Sequence, residues 1–257
     1  MNFRQLSEQA ARIGGEVLRE WSGRITATEK SPKNLVTEAD LASQRVIHEF
    51  LLRECPGHGF LGEEETGLSS AVSEYRWIVD PLDGTSNYVH RFPYYAVSVA
   101  VEHQGRLLAG AIYDPTRDEM FAAARGEGAR LNGERIEPSS TERLAQAMAV
   151  ASLPPKTTPE SPEVRRFLRI LSQAQTVQRT GSAALNLCYV AAGRMDAFWS
   201  TTLKPWDMAA GVLIVEEAGG KVTAIDGGPF RLENPSVLAT NGRALHGELA
   251  EQLPLEK

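Results

Sequence analysis

The chain has 257 residues, 42% of them hydrophobic and 23% charged, with a formal net charge of −6. A chain of that length and balance buries a large core, as one domain or as two tightly fused halves. The acidic balance argues against nucleic acid as a main partner, because a phosphate backbone needs a basic face, but it allows a small phosphorylated ligand met by a local cation.

Phe3, Leu6, Ala10, Ile13, Val17, Leu18 and Trp21 recur at helical spacing and predict an amphipathic first helix, interrupted by Gly23 and the polar stretch 26–34. Ala39, Ala42, Val46, Ile47, Phe50 and Leu51 form one stripe of a second helix, with Thr37 or Asp40 at its start and Pro56-Gly57 at its end. Strand-like pieces follow at 59–61, leading into Gly62-Glu63-Glu64-Glu65, and at 75–79 and 96–101. Residues 107–113 and 119–124 are expected hairpin partners, with His103-Gln104-Gly105 as a turn and Gly126, Gly128 and Asn132-Gly133 as further turns. From about residue 145 the pattern alternates between strands (148–152, 176–179, 197–199, 221–223, 237–239) and helices (163–173, 183–192, 206–218, 245–253). The expected fold is a layered α/β protein, an α+β first half (about 1–143) fused to an α/β second half (about 144–257).

Cys55 and Cys188 lie far apart and share no metal-ligand spacing, so both are read as buried free thiols, in keeping with a reducing cytoplasm. The N-terminal residues lack an apolar run of signal-peptide length, and no window reaches the about 20 apolar residues that span a bilayer.

Three acidic groups follow apolar or aromatic segments: Glu63-Glu64-Glu65, the pair Asp80 and Asp83, and Asp207 after Pro205-Trp206. Singly, each has a plain structural reading: a solvated loop, a pair of turn dipeptides, and a first-turn aspartate opposing a helix dipole. Together, carboxylates starting from buried scaffolding need cations, and hard oxygens without Cys or His companions suit Mg²⁺ or Mn²⁺ in a clamp of two metals. If a helix begins at Gly84-Thr85-Ser86, its free N–H groups favour an anion. A phosphate beside metals, attacked by an activated water, describes phosphate-ester hydrolysis without a covalent intermediate. The chain has no Gly-x-Ser-x-Gly elbow, Walker A lysine or Gly-x-Gly-x-x-Gly fingerprint, and its five histidines show no ligand spacing.

At these residues the sequence resembles the inositol monophosphatase family, within the wider lithium-sensitive, magnesium-dependent phosphatases. The resemblance is carried by Leu61-Gly-Glu-Glu64, by Trp77-Ile-Val-Asp-Pro-Leu-Asp-Gly-Thr-Ser-Asn-Tyr-Val-His90 and by Lys204-Pro-Trp-Asp-Met-Ala-Ala-Gly211. Leu35-Val-Thr-Glu-Ala-Asp40 and Arg179-Thr-Gly-Ser-Ala183 also fit. It implies one family domain over 1–257, a layered αβαβα sandwich, and usually a cytoplasmic homodimer. By the same resemblance Glu63, Asp80 and the Leu82 carbonyl would bind one Mg²⁺, and Asp80, Asp83 and Asp207 a second. A third, weaker ion would use Glu63 through water. Thr85, with Asp40 or Glu63, would position the attacking water. The Gly84 and Thr85 amides would hold phosphate beside Leu82, Asp83 and Asp207, and Gly181, Ser182 and Ala183 would line the alcohol side. The family's inositol-using members commonly carry a glutamate seven residues before the aspartate of Trp-Asp; here that position is Ser200. The implied reaction is Mg²⁺-dependent hydrolysis of a small phosphate monoester, myo-inositol monophosphate foremost. Histidinol phosphate, fructose 1,6-bisphosphate and 3′-phosphoadenosine nucleotides are alternative substrates, and a non-catalytic regulatory protein is a remote third reading.

Overall fold

The computed structural model describes residues 1–24, 27–31, 34–64 and 73–254, the side chains of 27–31 and 34–36 aside; Glu65 and part of the polar stretch 26–34 lie outside the described residues. Helix α1 (Phe3–Trp21) starts at Asn2, whose side chain accepts from the Gln5 amide. The short strands β1 (Ala27–Ser31) and β2 (Asn34–Thr37) pair antiparallel and lead into α2 (Glu38–Glu54). Strands β3 (Gly59–Gly62) and β4 (Tyr75–Asp83) precede the five-residue helix α3 (Thr85–Val89). A meander follows: β5 (Ala96–His103), β6 (Arg106–Asp114), β7 (Glu119–Ala124), β8 (Gly128–Leu131) and β9 (Glu134–Arg135). The second half runs β10 (Met148–Ala151), α4 (Pro162–Leu171), β11 (Thr176–Gln178), α5 (Ala183–Ala191), β12 (Ala197–Ser200), α6 (Pro205–Glu217), β13 (Lys221–Thr223), β14 (Val237–Thr240) and α7 (Ala244–Gln252).

The larger strands build a seven-stranded sheet, β3-β4-β5-β6-β7-β8-β9, and a five-stranded sheet, β11-β10-β12-β14-β13. Alternation along β4 and β5 decides which layer each residue serves: Trp77, Val79, Val97, Val99 and Val101 face the core under α1 and α2, whereas Ile78, Ala96 and Ala100 face α5 and α6. Helices α5 and α6 are buried along nearly their whole length because a sheet covers them on each side. A third core, with Trp199, Leu238, Leu245 and Leu249, lies between the five-stranded sheet and α4 and α7. The layers are therefore αβαβα, as the family resemblance implies.

Three local features differ from the sequence reading. The buried seam of α1 runs along Ser7, Ala10, Ala11, Gly14, Gly15 and Leu18, and the large residues Phe3, Ile13 and Trp21 flank it, because small side chains let α1 lie close against β5 and β6. The turn signals at Gly128 and Asn132-Gly133 enclose a small hairpin, β8–β9. The second sheet is mixed: β10 pairs parallel with β11 and β12, but β14 runs antiparallel to both its neighbours.

His246 on α7 is 3% exposed and sits between two threonines. Thr223 Oγ1 donates to the Ala224 carbonyl at 2.7 Å, so it accepts from Nε2 at 3.1 Å; Thr240 Oγ1 takes the Gly242 amide and donates to Nδ1 at 2.9 Å. The network thus selects the neutral Nε2–H ring. Burial, helped by the charge of Lys221, pushes its pKa down to about 4. A depressed histidine favours the folded state above its unfolded pKa, and that contribution is lost as the unfolded chain takes up the proton, between about pH 6.5 and 4. Urea unfolding at pH 7 and pH 4.5 is expected to show a pH-dependent loss roughly 2 kcal/mol larger in the native sequence than in His246→Gln. Equal losses in the two proteins would contradict the assignment.

Candidate active site

Strand β4 creates the site by failing to stay regular. Asp80 pairs with Ser98 and Asp83 with Ala96, so one extra residue is accommodated around Pro81-Leu82. Proline cannot donate to the ladder, and a bulge re-aims the residues on either side of it. Asp80 and Asp83 thereby reach one cavity from a single strand. Asp80 is 1% exposed, and its Oδ1 accepts from the Leu82 amide at 3.0 Å. Gly84 closes the strand at φ +96°, a left-handed conformation that favours glycine, and a Cβ there would stand 3.1 Å from the Tyr94 carbonyl oxygen.

Helix α2 secures this segment. Ser43 Oγ donates to the Pro81 carbonyl at 3.0 Å. The Gln44 side chain accepts from the Glu64 amide at 3.0 Å and donates to the Glu64 carbonyl at 2.6 Å, fixing the acidic segment after β3. Gly62 is required for that approach, since a Cβ would lie 2.2 Å from Gln44 Oε1. The start of α2 joins the site as well. Thr37 and Asp40 form a capping box: Thr37 Oγ1 accepts from the Ala39 and Asp40 amides, and Asp40 Oδ2 accepts from the Thr37 amide at 2.9 Å and its hydroxyl at 2.6 Å. Asp40 Oδ1 lies 3.3 Å from Thr85 Oγ1, which is also 3.2 Å from the Leu82 carbonyl, so the single hydroxyl proton chooses between two acceptors.

The remaining carboxylate comes from the second half. Asp207 sits in the first turn of α6, where its Oδ2 accepts from the Lys204 amide at 2.8 Å. Glu63, Asp80, Leu82, Asp83, Gly84, Thr85, Gly181, Ala183 and Asp207 all line one cavity of about 460 Å³. Ser182, read from the sequence as lining the alcohol side, is fully buried; its Oγ and the Ala184 amide both donate to Asp83 Oδ2, at 2.5 and 2.6 Å. It is the N-cap of α5, and its short side chain turns inward to that role. Ser200 is 1% exposed and lies behind the wall, 3.4 Å from the Ser152 carbonyl.

Burial raises the pKa of Asp80, Asp83 and Asp207 above the ordinary carboxylate range. Repulsion adds to it: Asp80 feels Glu63, Asp83 and Asp207, and Asp207 feels Asp83 and Glu63. Burial likewise pushes Asp40 up to about 7, against the opposing pull of its Thr37 hydrogen bonds. Among the described residues no lysine or arginine makes an ion pair with Asp80, Asp83 or Asp207. Buried carboxylates with mutual repulsion and hard oxygen donors fit a divalent cation such as Mg²⁺. Among the described residues no three His, Cys, Asp or Glu side chains are gathered closely enough to hold a metal ion as they stand.

Ser43 and Gln44 carry no sequence signal, because polar residues on an amphipathic helix look like its solvent face. Both are fully buried here.

The fold is a layered α/β sandwich with a carboxylate-lined cavity. The model of the inositol monophosphatase family matches residues 2–256, and the chain belongs to that family. It is 41% identical over 237 residues to an inositol-1-monophosphatase of Mesorhizobium japonicum, covering 91% of this chain and 89% of that protein. It is 36% identical to Nus factor SuhB of Escherichia coli, covering 95% and 93% of the two chains. The crystal structure of the extragenic suppressor protein suhB from Bartonella henselae superposes with a TM-score of 0.92 at 36% identity, over 98% of each chain.

Proposed function

We propose that the chain hydrolyses a small phosphate monoester in a Mg²⁺-dependent reaction, with myo-inositol monophosphate as the first substrate to consider. The observation that carries this reading is the convergence of buried, mutually repelling Asp80, Asp83 and Asp207 on one cavity, with no cationic side chain pairing them among the described residues. Glu63, Asp80, the Leu82 carbonyl, Asp83 and Asp207 would hold two to three Mg²⁺ ions, with Mn²⁺ as a substitute. Such ions supply positive charge for the phosphoryl oxygens and make a nearby water more acidic.

The residues around them perform the rest. Thr85 Oγ1, held by Asp40 Oδ1 or the Leu82 carbonyl, keeps a lone pair for a proton of the attacking water. Asp40, with its pKa raised to about 7, is suited to take up the proton that Thr85 passes on. The first-turn amides of α3 have no intrahelical acceptors and would meet the phosphoryl group. The buried support of Asp83 by Ser182 and Ala184 keeps its other oxygen directed for ligation.

Phosphate release from myo-inositol 1-phosphate by the purified chain is the direct test. Activity is expected to vanish in EDTA, to return with Mg²⁺, and to fall in Li⁺. Undiminished turnover in chelator would overturn the reading.

The relatives named Nus factor supply a second reading, such a role carried by the same fold. It is compatible with the first, since Glu63, Asp80, Asp83, Thr85 and Asp207 are all present.

A further inference from the structure

The walls of the catalytic cavity differ in charge. Its metal end carries Glu63, Asp80, Asp83 and Asp207. Another part of the wall is built from segments that follow β10, β11 and β12, and it presents hydroxyls and apolar surface such as Ser152, Pro154, Thr202 and Leu203. Arg179, directly after β11, is the one lysine or arginine among the described lining residues.

Arg179 is exposed, and its side chain makes no hydrogen bond or ion pair among the described residues. Several other arginines are paired with carboxylates: Arg76 with Glu102, Arg117 with Asp114, Arg125 with Glu216 and Arg194 with Glu119. Among the described residues no carboxylate pairs with Arg179. Ser200 brings no charge and is buried behind that wall. The nearest acid of helix α4, Glu163, is taken by the Thr201 hydroxyl at 3.1 Å and by Arg166 at 3.7 Å. A guanidinium at the mouth of a cavity, unengaged among the described residues, matches a carboxylate or phosphate through two parallel hydrogen bonds.

We propose that Arg179 reads a second anionic group on the alcohol half of the substrate, so that beside neutral polyol esters the site takes phosphate monoesters bearing a further carboxylate or phosphate, and takes them better for the presence of Arg179. This rests on the phosphomonoesterase reading of the same cavity. Arg179 is thus a specificity residue, separate from the residues that position water and metal.

The test compares kcat/KM, with Mg²⁺, for two matched pairs: 2-phosphoglycerate against glycerol 2-phosphate, and inositol 1,4-bisphosphate against inositol 1-phosphate. The first pair reports a carboxylate and the second a phosphate. Arg179→Gln is expected to lower the ratio of anionic to neutral ester about tenfold in at least one pair, with Arg179→Lys lowering it less. Because the side chain is exposed and makes no bond among the described residues, both variants are expected to melt with the native sequence, and a melting curve verifies this. Unchanged ratios in both pairs, with turnover intact, would overturn the Arg179 proposal alone. No phosphate release from any of the four esters by the native chain would overturn the phosphomonoesterase reading, and this inference with it.

Discussion

Asp83→Asn is expected to lose about a thousandfold in kcat/KM while folding like the native sequence. The substitution separates the two jobs of this side chain. Asp83 Oδ2 accepts from Ser182 Oγ and from the Ala184 amide. The carbonyl oxygen of an asparagine can accept both, so the start of α5 keeps its anchor. The amide group then takes the position of the other carboxylate oxygen and presents donors where a cation needs an acceptor. Initial rates with Mg²⁺ and a thermal melt check the two halves, with a midpoint within about 4 °C expected. Retention of more than a tenth of the activity would refute the site assignment. Alanine is the poorer probe, because it leaves the Ser182 hydroxyl and the Ala184 amide buried without an acceptor, at about 2 to 4 kcal/mol for the two groups.

Thr85→Val removes a hydroxyl and keeps the shape, and it is expected to lower kcat by about a hundredfold with a small change in KM. The reason lies in the bonding of Oγ1. Its proton goes to Asp40 Oδ1 or to the Leu82 carbonyl, which fixes the direction of its lone pairs. Valine offers no lone pair and breaks the path to Asp40. Thr85→Ser, which restores the hydroxyl, is expected to recover most of the rate. If valine and serine at this position give equal rates, Thr85 has no part in orienting water.

The sequence announces the fold through periodicities that depend only on neighbouring residues. The helical stripes, the alternating strand at Ala96–His103 and the unbroken apolar run of α6 are all of that kind. It announces Asp80, Asp83 and Asp207 because charge at the end of an apolar segment is costly and therefore informative. What it conceals depends on partners distant in the chain. The bulge at Pro81-Leu82 exists only in register with β5. The antiparallel course of β14 is invisible in a pattern of alternating strands and helices. Ser182 looks like a lining residue until Asp83, at the end of β4, claims its hydroxyl. Gln44 looks like solvent-facing polarity until Glu64 is seen to need both ends of its amide.

The capping box at the head of α2 has one more implication. Asp40 spends one carboxylate oxygen on Thr37 and offers the other to Thr85, so a single side chain starts a helix and faces a hydroxyl in the cavity. Such sharing narrows the routes open to sequence drift. In a library of random variants, one sorted for survival of heat and one sorted for turnover would be depleted at the same two positions, Thr37 and Asp40, whereas at Arg179 only the second selection would leave a mark.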